Sequence, residues 1–474
     1  MNIKKITGYA IGPIGSGILG FITLPAITWF YSIDDVGRVS MLQVFTSFFI
    51  LLFCLGLDQA YIREYHGSEN KSLLLKMSLL PGFILSLVFF LVLFLYDEKI
   101  ISIWLYELSD TYLSILTAIC FVVALISRFL SLVVRMQDRA FAFSMSQLLA
   151  KVLFLFFILI TVWLGFARNT YNLITANVLS MFFTFLIFSW NTRKDWVEIF
   201  NNKVDKILLK KLLIFGLPLV IGGLAFWGLN AMSRLFLRAM STYSELGIYS
   251  VTMSLASVVT ILSSIFNTIW SPMVYKWESE NSIDISKINS ISEIILAVIY
   301  FSIVIVGLFA WIIPFLLPHE YMMIQFLITS CLIGPLLYTL SEVTAVGISL
   351  TRKTKLSMIA AVFAMFVNLL GNYFLVPIYG AIGATASTAL AFWIFFVLKT
   401  EFSKLVWHKI SVIKVYVVTG VLILYSIASM FFLQKHMLIL ILFWLILFFI
   451  GLFVFQQVIK KTIKQIRIKL VKVY

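Results

Sequence analysis

The sequence predicts an all-α protein that crosses a membrane about fourteen times, in two six-helix lobes followed by two further helices. Three observations carry this. The 474 residues are 62% hydrophobic and only 12% charged, against roughly 45–50% and 25% in soluble domains. The mean hydropathy is +1.04. Apolar runs of about 20 residues, the length that spans the hydrocarbon layer, recur along the whole chain.

Taken in order, the candidate spans fall at about 8–30, 40–62, 73–96, 111–133, 141–166, 171–190, 211–236, 246–271, 291–317, 322–350, 356–376, 381–398, 413–433 and 437–457. The first opens on M-N-I-K-K-I-T-G-Y-A and continues past Phe30 without a small-residue cleavage pattern, so it reads as a retained helix rather than a leader. Cys54, Cys120 and Cys331 lie inside apolar runs, which argues against a disulfide framework or a thiolate metal site. His66, His319, His408 and His436 are scattered, with no neighbour at metal-ligand spacing, so no metal and no cofactor is expected. Aromatics such as Trp29, Trp104, Trp163 and Trp311 fall near span ends, as interface anchoring requires.

Cation placement orients the spans. With the N-terminus inside, 28 of the 36 Lys and Arg residues fall in inner segments, 5 in outer segments and 3 (Arg128, Lys151, Arg234) within spans. Both termini are therefore expected in the cytoplasm, and the same asymmetry accounts for the net charge of +15. The tail K-K-T-I-K-Q-I-R-I-K-L-V-K-V-Y interleaves cations with apolar residues and reads as a lipid-surface segment rather than a nucleic-acid arm. No loop is long enough to build an external catalytic domain, which argues against a membrane glycan polymerase or ligase. The absence of a G-x-x-x-x-G-K-[ST] pattern argues against ATP drive.

An internal repeat at an offset of about 210 residues divides the chain. D-D-V-G-R-V-S-M-L-Q (from 34) matches S-E-L-G-I-Y-S-V-T-M (from 244), each with an acid, a hydrophobe and a Gly opening a helix. V-R-M-Q-D-R-A-F-A-F-S-M-S (from 134) matches L-T-R-K-T-K-L-S-M (from 350). An even number of helices per copy makes the repeats parallel. The expected parts are a first lobe over 1–200, a second over 201–405, and two extra helices with the basic tail over 406–474.

F-Y-S-I-D-D-V-G-R-V-S-M-L-Q, L-G-L-D-Q-A-Y-I-R-E-Y, G-L-P-L-V-I-G-G-L-A-F-W-G-L-N-A-M-S-R-L-F-L and N-L-L-G-N-Y-F-L-V-P-I-Y-G-A-I-G-A-T-A-S stand in collinear order. Together they resemble the Wzx-type polysaccharide flippases of the MOP superfamily, which also holds the MATE antiporters and the lipid II flippases. The resemblance covers roughly residues 1–400. It implies a multi-pass protein of the bacterial cytoplasmic membrane that turns an oligosaccharide on undecaprenyl pyrophosphate to the outer leaflet, for O-antigen, capsule or another surface glycan. Glycan polymerase and chain-length proteins are the partners it implies. Many members carry an Asp before the Arg of the seventh span; here Ser233 precedes Arg234, which removes that acid.

Moving a pyrophosphate dianion through lipid calls for intramembrane cations facing a wet cavity. Arg234, inside the seventh expected span, is the leading candidate, because a guanidinium fork suits phosphate oxygens; capping by neighbouring carbonyls is its bland alternative. Arg63 stands at the inner mouth of the second span, and Arg128 and Lys151 lie within the fourth and fifth. Asp58 and Glu342 are the acids within spans; each is a candidate for ion coupling or for pairing, and Glu342 is read as a structural partner of Arg234 or Arg128. Asn230, Asn368 and Asn372 are candidates for glycan contact or helix packing. The last two, four apart on one helical face, belong to a tight hairpin turned at Pro377 and Gly380. A cation-coupled drug antiporter of the MATE kind is the rival reading, but it predicts a cavity dominated by acids.

Overall fold

The computed structural model describes residues 3–280, 282, 284–408, 410–432 and 436–461. The basic tail beyond Lys461 lies outside them, so the expected lipid-surface segment is not described. Among the described residues there is no strand. The chain runs through α1 (Ile3–Phe30), α2 (Ile33–Phe53), α3 (Leu57–Glu64), α4 (Lys71–Tyr96), α5 (Ile100–Tyr106), α6 (Thr111–Met136), α7 (Ala140–Trp163), α8 (Thr170–Asn191), α9 (Arg193–Val197) and α10 (Lys206–Met240). It continues through α11 (Tyr243–Ala256), α12 (Val258–Ser279), α13 (Ile285–Phe309), α14 (Ile313–Leu316), α15 (Ile324–Thr344), α16 (Val346–Leu350), α17 (Lys355–Val406), α18 (Ile413–Phe432) and α19 (Met437–Val454).

Polar residues mark where the apolar runs begin. Ser32, Asn70, Asp110, Asn169, Asp205 and Asp284 each cap a helix by accepting a backbone N–H in its first turn. Among the described residues, eleven helices are long and apolar enough to span a membrane, which makes this a polytopic α-helical membrane protein. The expected fourteen is not reached by that measure, for identifiable reasons. α1 enters that measure only through its described side chains, Ile14–Phe30. The expected span 246–271 is divided at Ser257 into α11 and α12. α17 is two arms joined at Gly380, whose φ of 52° and ψ of −127° leave the helical region. The arms approach closely around that point, where a Cβ on Gly371 would meet the Ser387 side chain and a Cβ on Gly383 the Leu375 carbonyl, so the chain doubles back as a hairpin.

Two compact units form, residues 1–250 and 251–474. In the first, Phe49 stacks with Phe53, Phe90 and Phe121, tying α2 to α4 and α6, while α10 packs on α2, α3 and α4. In the second, α15 is the most enclosed span, with 83% of its apolar window buried, and it packs on α12, α13 and α17. The two terminal helices belong to this unit. α19 lies on α13, with Trp444 over Gly307 and the Tyr300 hydroxyl donating to the Leu447 carbonyl at 2.6 Å.

The repeat is visible inside the first unit. A Cβ on Gly37 would collide with the Tyr243 carbonyl, and a Cβ on Gly247 with the Ile33 carbonyl. Ile33 and Tyr243, and Gly37 and Gly247, are the same positions of the two copies. The Ser40 and Ser250 hydroxyls, again the same position, lie 2.6 Å apart. Reciprocal contact between equivalent residues is what a local two-fold arrangement requires. The acid–hydrophobe–Gly motif therefore serves close backbone approach, with no room for a side chain at the Gly.

Candidate functional site

The site grows from a break in a span. The second expected span is not one helix: α2 stops at Phe53 and α3 restarts at Leu57, with Leu55 (φ 53°) and Gly56 (φ 69°) both left-handed. Broken backbone at membrane depth is tolerated only where protein or a wet cavity satisfies it. Here α10 closes over the break at Gly216, whose backbone sits where a Gly56 side chain would be. The α3 first turn then carries Asp58. From α6, Arg128 Nη2 donates to Asp58 Oδ2 at 2.8 Å, and Gln59 Nε2 donates to the same oxygen at 3.0 Å. The two charged side chains are unequal in exposure, 37% for Arg128 and 13% for Asp58.

These groups line a cavity of about 400 Å³ together with Ser47, Cys54, Gly56, Gln59 and, from α10, Leu219, Val220 and Gly223. Ser47 is fixed from the same helix, because Trp227 Nε1 donates to its hydroxyl at 3.0 Å. A guanidinium with exposed donors, beside a hydroxyl and an amide in a mostly apolar cavity, can hold an anion or a hydroxyl-bearing ligand. Among the described residues no cluster of three His, Cys, Asp or Glu side chains could hold a metal.

The other candidates are placed elsewhere. Arg234, the leading candidate by sequence, lies six residues before the end of α10, half-buried, and is not among the residues lining this cavity. Asn230 donates back to the Phe226 carbonyl of its own helix at 2.8 Å. Arg63 lies over the Phe215 ring at 4.3 Å, its side chain 59% exposed, within 3.8 Å of Glu64. Lys151 donates to the Ser16 carbonyl of α1 at 2.8 Å. Asn368 and Asn372 are fully buried, and the Asn372 amide donates to Asn368 Oδ1 and to its carbonyl at 2.7 Å. That geometry knits one arm of the hairpin to itself.

Glu342 corrects its expected pairing. Its partner is neither Arg234 nor Arg128 but Lys399, whose Nζ lies 2.6 Å from Glu342 Oε1 and 3.3 Å from Ser341 Oγ. Lys399 is 8% exposed and packs over the Tyr338 and Phe395 rings at 5.3 and 5.6 Å. Sequence reasoning assigned Lys399 to a loop, because the apolar run of the twelfth expected span ends at 398. The second arm of α17 in fact continues to Val406. Ser47, Gln59 and the break itself were also missed. The signal was L-G-L-D, where a Gly two residues before an acid sits inside an otherwise apolar run.

Fold and site together define a multi-pass α-helical membrane protein, with a cavity holding a charged pair built at a broken span. Residues 3–278 match the family described as polysaccharide biosynthesis protein, and the chain belongs to that family. It is 21% identical over 316 residues to a protein of the Lsg locus of Haemophilus influenzae, covering 65% of this chain and 73% of that one. Among solved structures, the lipid II flippase MurJ in an inward closed conformation aligns with a TM-score of 0.67 at 14% identity, over 95% of this chain and 99% of MurJ. An outward-facing multidrug resistance MATE transporter of the MOP superfamily aligns with a TM-score of 0.52 at 16% identity, over 85% and 95%. The fold expected from the sequence motifs is thus the fold found, shared with these two solved structures.

Proposed function

We propose that this chain flips oligosaccharide units linked to undecaprenyl pyrophosphate from the cytoplasmic to the outer leaflet of the bacterial cytoplasmic membrane. The observation that carries the proposal is the Arg128-bearing cavity at the broken span, which lies within the stretch matching the polysaccharide family. A pyrophosphate head needs donors in a wet pocket, and Arg128 supplies them with more than a third of its side chain exposed. The acids that a cation-coupled drug antiporter would use are each engaged by a cation, Asp58 by Arg128 and Glu342 by Lys399.

In this reading both termini are cytoplasmic, and lobes 1–200 and 201–405 alternate access to the cavity while 406–474 follows the second. No nucleotide is required. An inside-negative potential favours outward movement of an anion by roughly 2.3 kcal/mol per charge per 100 mV, and about twice that for a dianion. The glycan leaves for surface polysaccharide such as O-antigen or capsule, where a polymerase and a chain-length protein receive it.

The test is glycan export in a strain lacking the gene, complemented with wild type, Arg128→Ala or Arg128→Lys. Arg128→Ala at normal membrane levels is expected to accumulate lipid-linked units inside, with Arg128→Lys partly active. Intact export without the gene would remove the flippase reading, and normal export by Arg128→Ala would remove this cavity as the anion site.

A further inference from the structure

We propose that Asp58 is a built-in competitor for the substrate anion: it occupies Arg128 when the cavity is empty and returns to it to expel the anion after transfer. The inference rests on the anion-site reading of the cavity given above. Its basis is the position of the carboxylate. Asp58 Oδ2 stands 2.8 Å from Arg128 Nη2, in the place a phosphate oxygen would take. It is held there independently by the Gln59 amide at 3.0 Å.

Asp58 also has little freedom to leave. It lies in the first turn of α3, two residues after the left-handed Gly56, whose backbone is pressed against Gly216 of α10. An arriving anion must therefore displace the carboxylate from the guanidinium while the carboxylate remains in the same cavity. The displaced acid repels the anion at close range. Both effects weaken binding, and neither is needed if Asp58 serves only to orient Arg128. A carrier gains from this, because a polyanion gripped by an uncompensated cation within the membrane would leave slowly.

The two readings predict opposite signs. If Asp58 only positions Arg128, its removal loosens the anion; if it competes, removal tightens it. Full-length protein in detergent is titrated calorimetrically with inorganic pyrophosphate, as wild type, Asp58→Asn, Arg128→Ala and the double variant. Asp58→Asn is expected to bind pyrophosphate about tenfold more tightly than wild type, since one charge-assisted hydrogen bond no longer has to be given up. The double variant is expected to lose that gain. A parallel titration with phosphatidylglycerol-doped micelles separates a diphosphate from a bulk lipid phosphate, and a tenfold gain confined to pyrophosphate is expected.

Export by Asp58→Asn is expected to fall although binding improves. Equal or weaker pyrophosphate binding by a folded Asp58→Asn overturns the inference, as does a gain that persists without Arg128 or is matched by the lipid phosphate. Asp58→Ser gives the same comparison if the Asn variant does not fold. If wild type and Arg128→Ala bind alike, the anion-site reading fails first and the inference with it, a pattern distinct from failure at Asp58 alone.

Discussion

The Glu342–Lys399 pair makes the sharpest energetic prediction. Lys399 is almost fully buried and spends its charge on one carboxylate oxygen at 2.6 Å, one hydroxyl at 3.3 Å and two ring faces. Lys399→Met keeps the length of the stem but takes the cation from a half-buried carboxylate, 24% exposed, that retains only its hydrogen bond with Tyr338, which costs about 2–3 kcal/mol. Glu342→Gln leaves the ammonium with one hydroxyl and two rings, a loss of about 2–4 kcal/mol by the same reasoning. The double variant removes both charges, and Trp270 Nε1 still donates to the Glu342 backbone carbonyl at 3.0 Å. Its loss is expected to be only about 1–2 kcal/mol, so the coupling energy is at least about 2 kcal/mol. Thermal unfolding in detergent with glycan export in parallel is the assay. If the two single losses simply add in the double variant, the pair is not an energetic unit. If the double variant is stable but exports nothing, the pair does more than hold α15 to α17.

Two further predictions concern backbone. Gly56 and Gly165 have nearly the same left-handed φ, 69° and 71°, yet Gly56 faces the Gly216 backbone and Gly165 has nothing within 4 Å. Gly165→Ala is expected to cost about 1 kcal/mol of strain, and Gly56→Ala at least about 3 kcal/mol because α10 must also move; equal shifts in unfolding temperature would refute the close packing of the break. A Ser40→Cys/Ser250→Cys variant is expected to form an intramolecular disulfide under mild oxidation, seen as a reductant-sensitive mobility change after cleavage between the two positions. No cross-link would mean that the equivalent helices do not meet.

The fold class was legible because spanning lipid is a crude demand: about 20 apolar residues and cations kept to one side suffice. The kinship of the two Gly motifs was legible too, and Gly37 and Gly247 do meet each other's stretch. What the apolar ruler cannot see is conformation inside an apolar run. Cys54-Leu55-Gly56-Leu57 is uninterrupted hydrophobic sequence, yet two of its residues are left-handed and the span ends there. Lys399 was lost for the complementary reason, because a cation at the edge of an apolar run reads as a loop until its carboxylate partner is known. A long apolar stem lets such a residue stay in the helix and present only its tip to the partner.

These two failures have a common cause, and it bears on where chemistry can happen in this protein. Charge within the lipid layer survives only where the local structure supplies a partner: Lys151 meets a backbone carbonyl, and the two acids picked out from the sequence each meet a cation. Asp58 meets Arg128 in the first unit, and Glu342 meets Lys399 in the second. The pairs differ in one respect that matters. Lys399 is closed in by Tyr338 and Phe395, with 10% of its side chain exposed, whereas 37% of Arg128 faces a cavity opened by a broken helix. A neutralised pair whose cation is enclosed holds helices together. A neutralised pair at an opening can exchange its partner for an incoming anion, and only the break at Leu55 and Gly56 gives the first unit that opening.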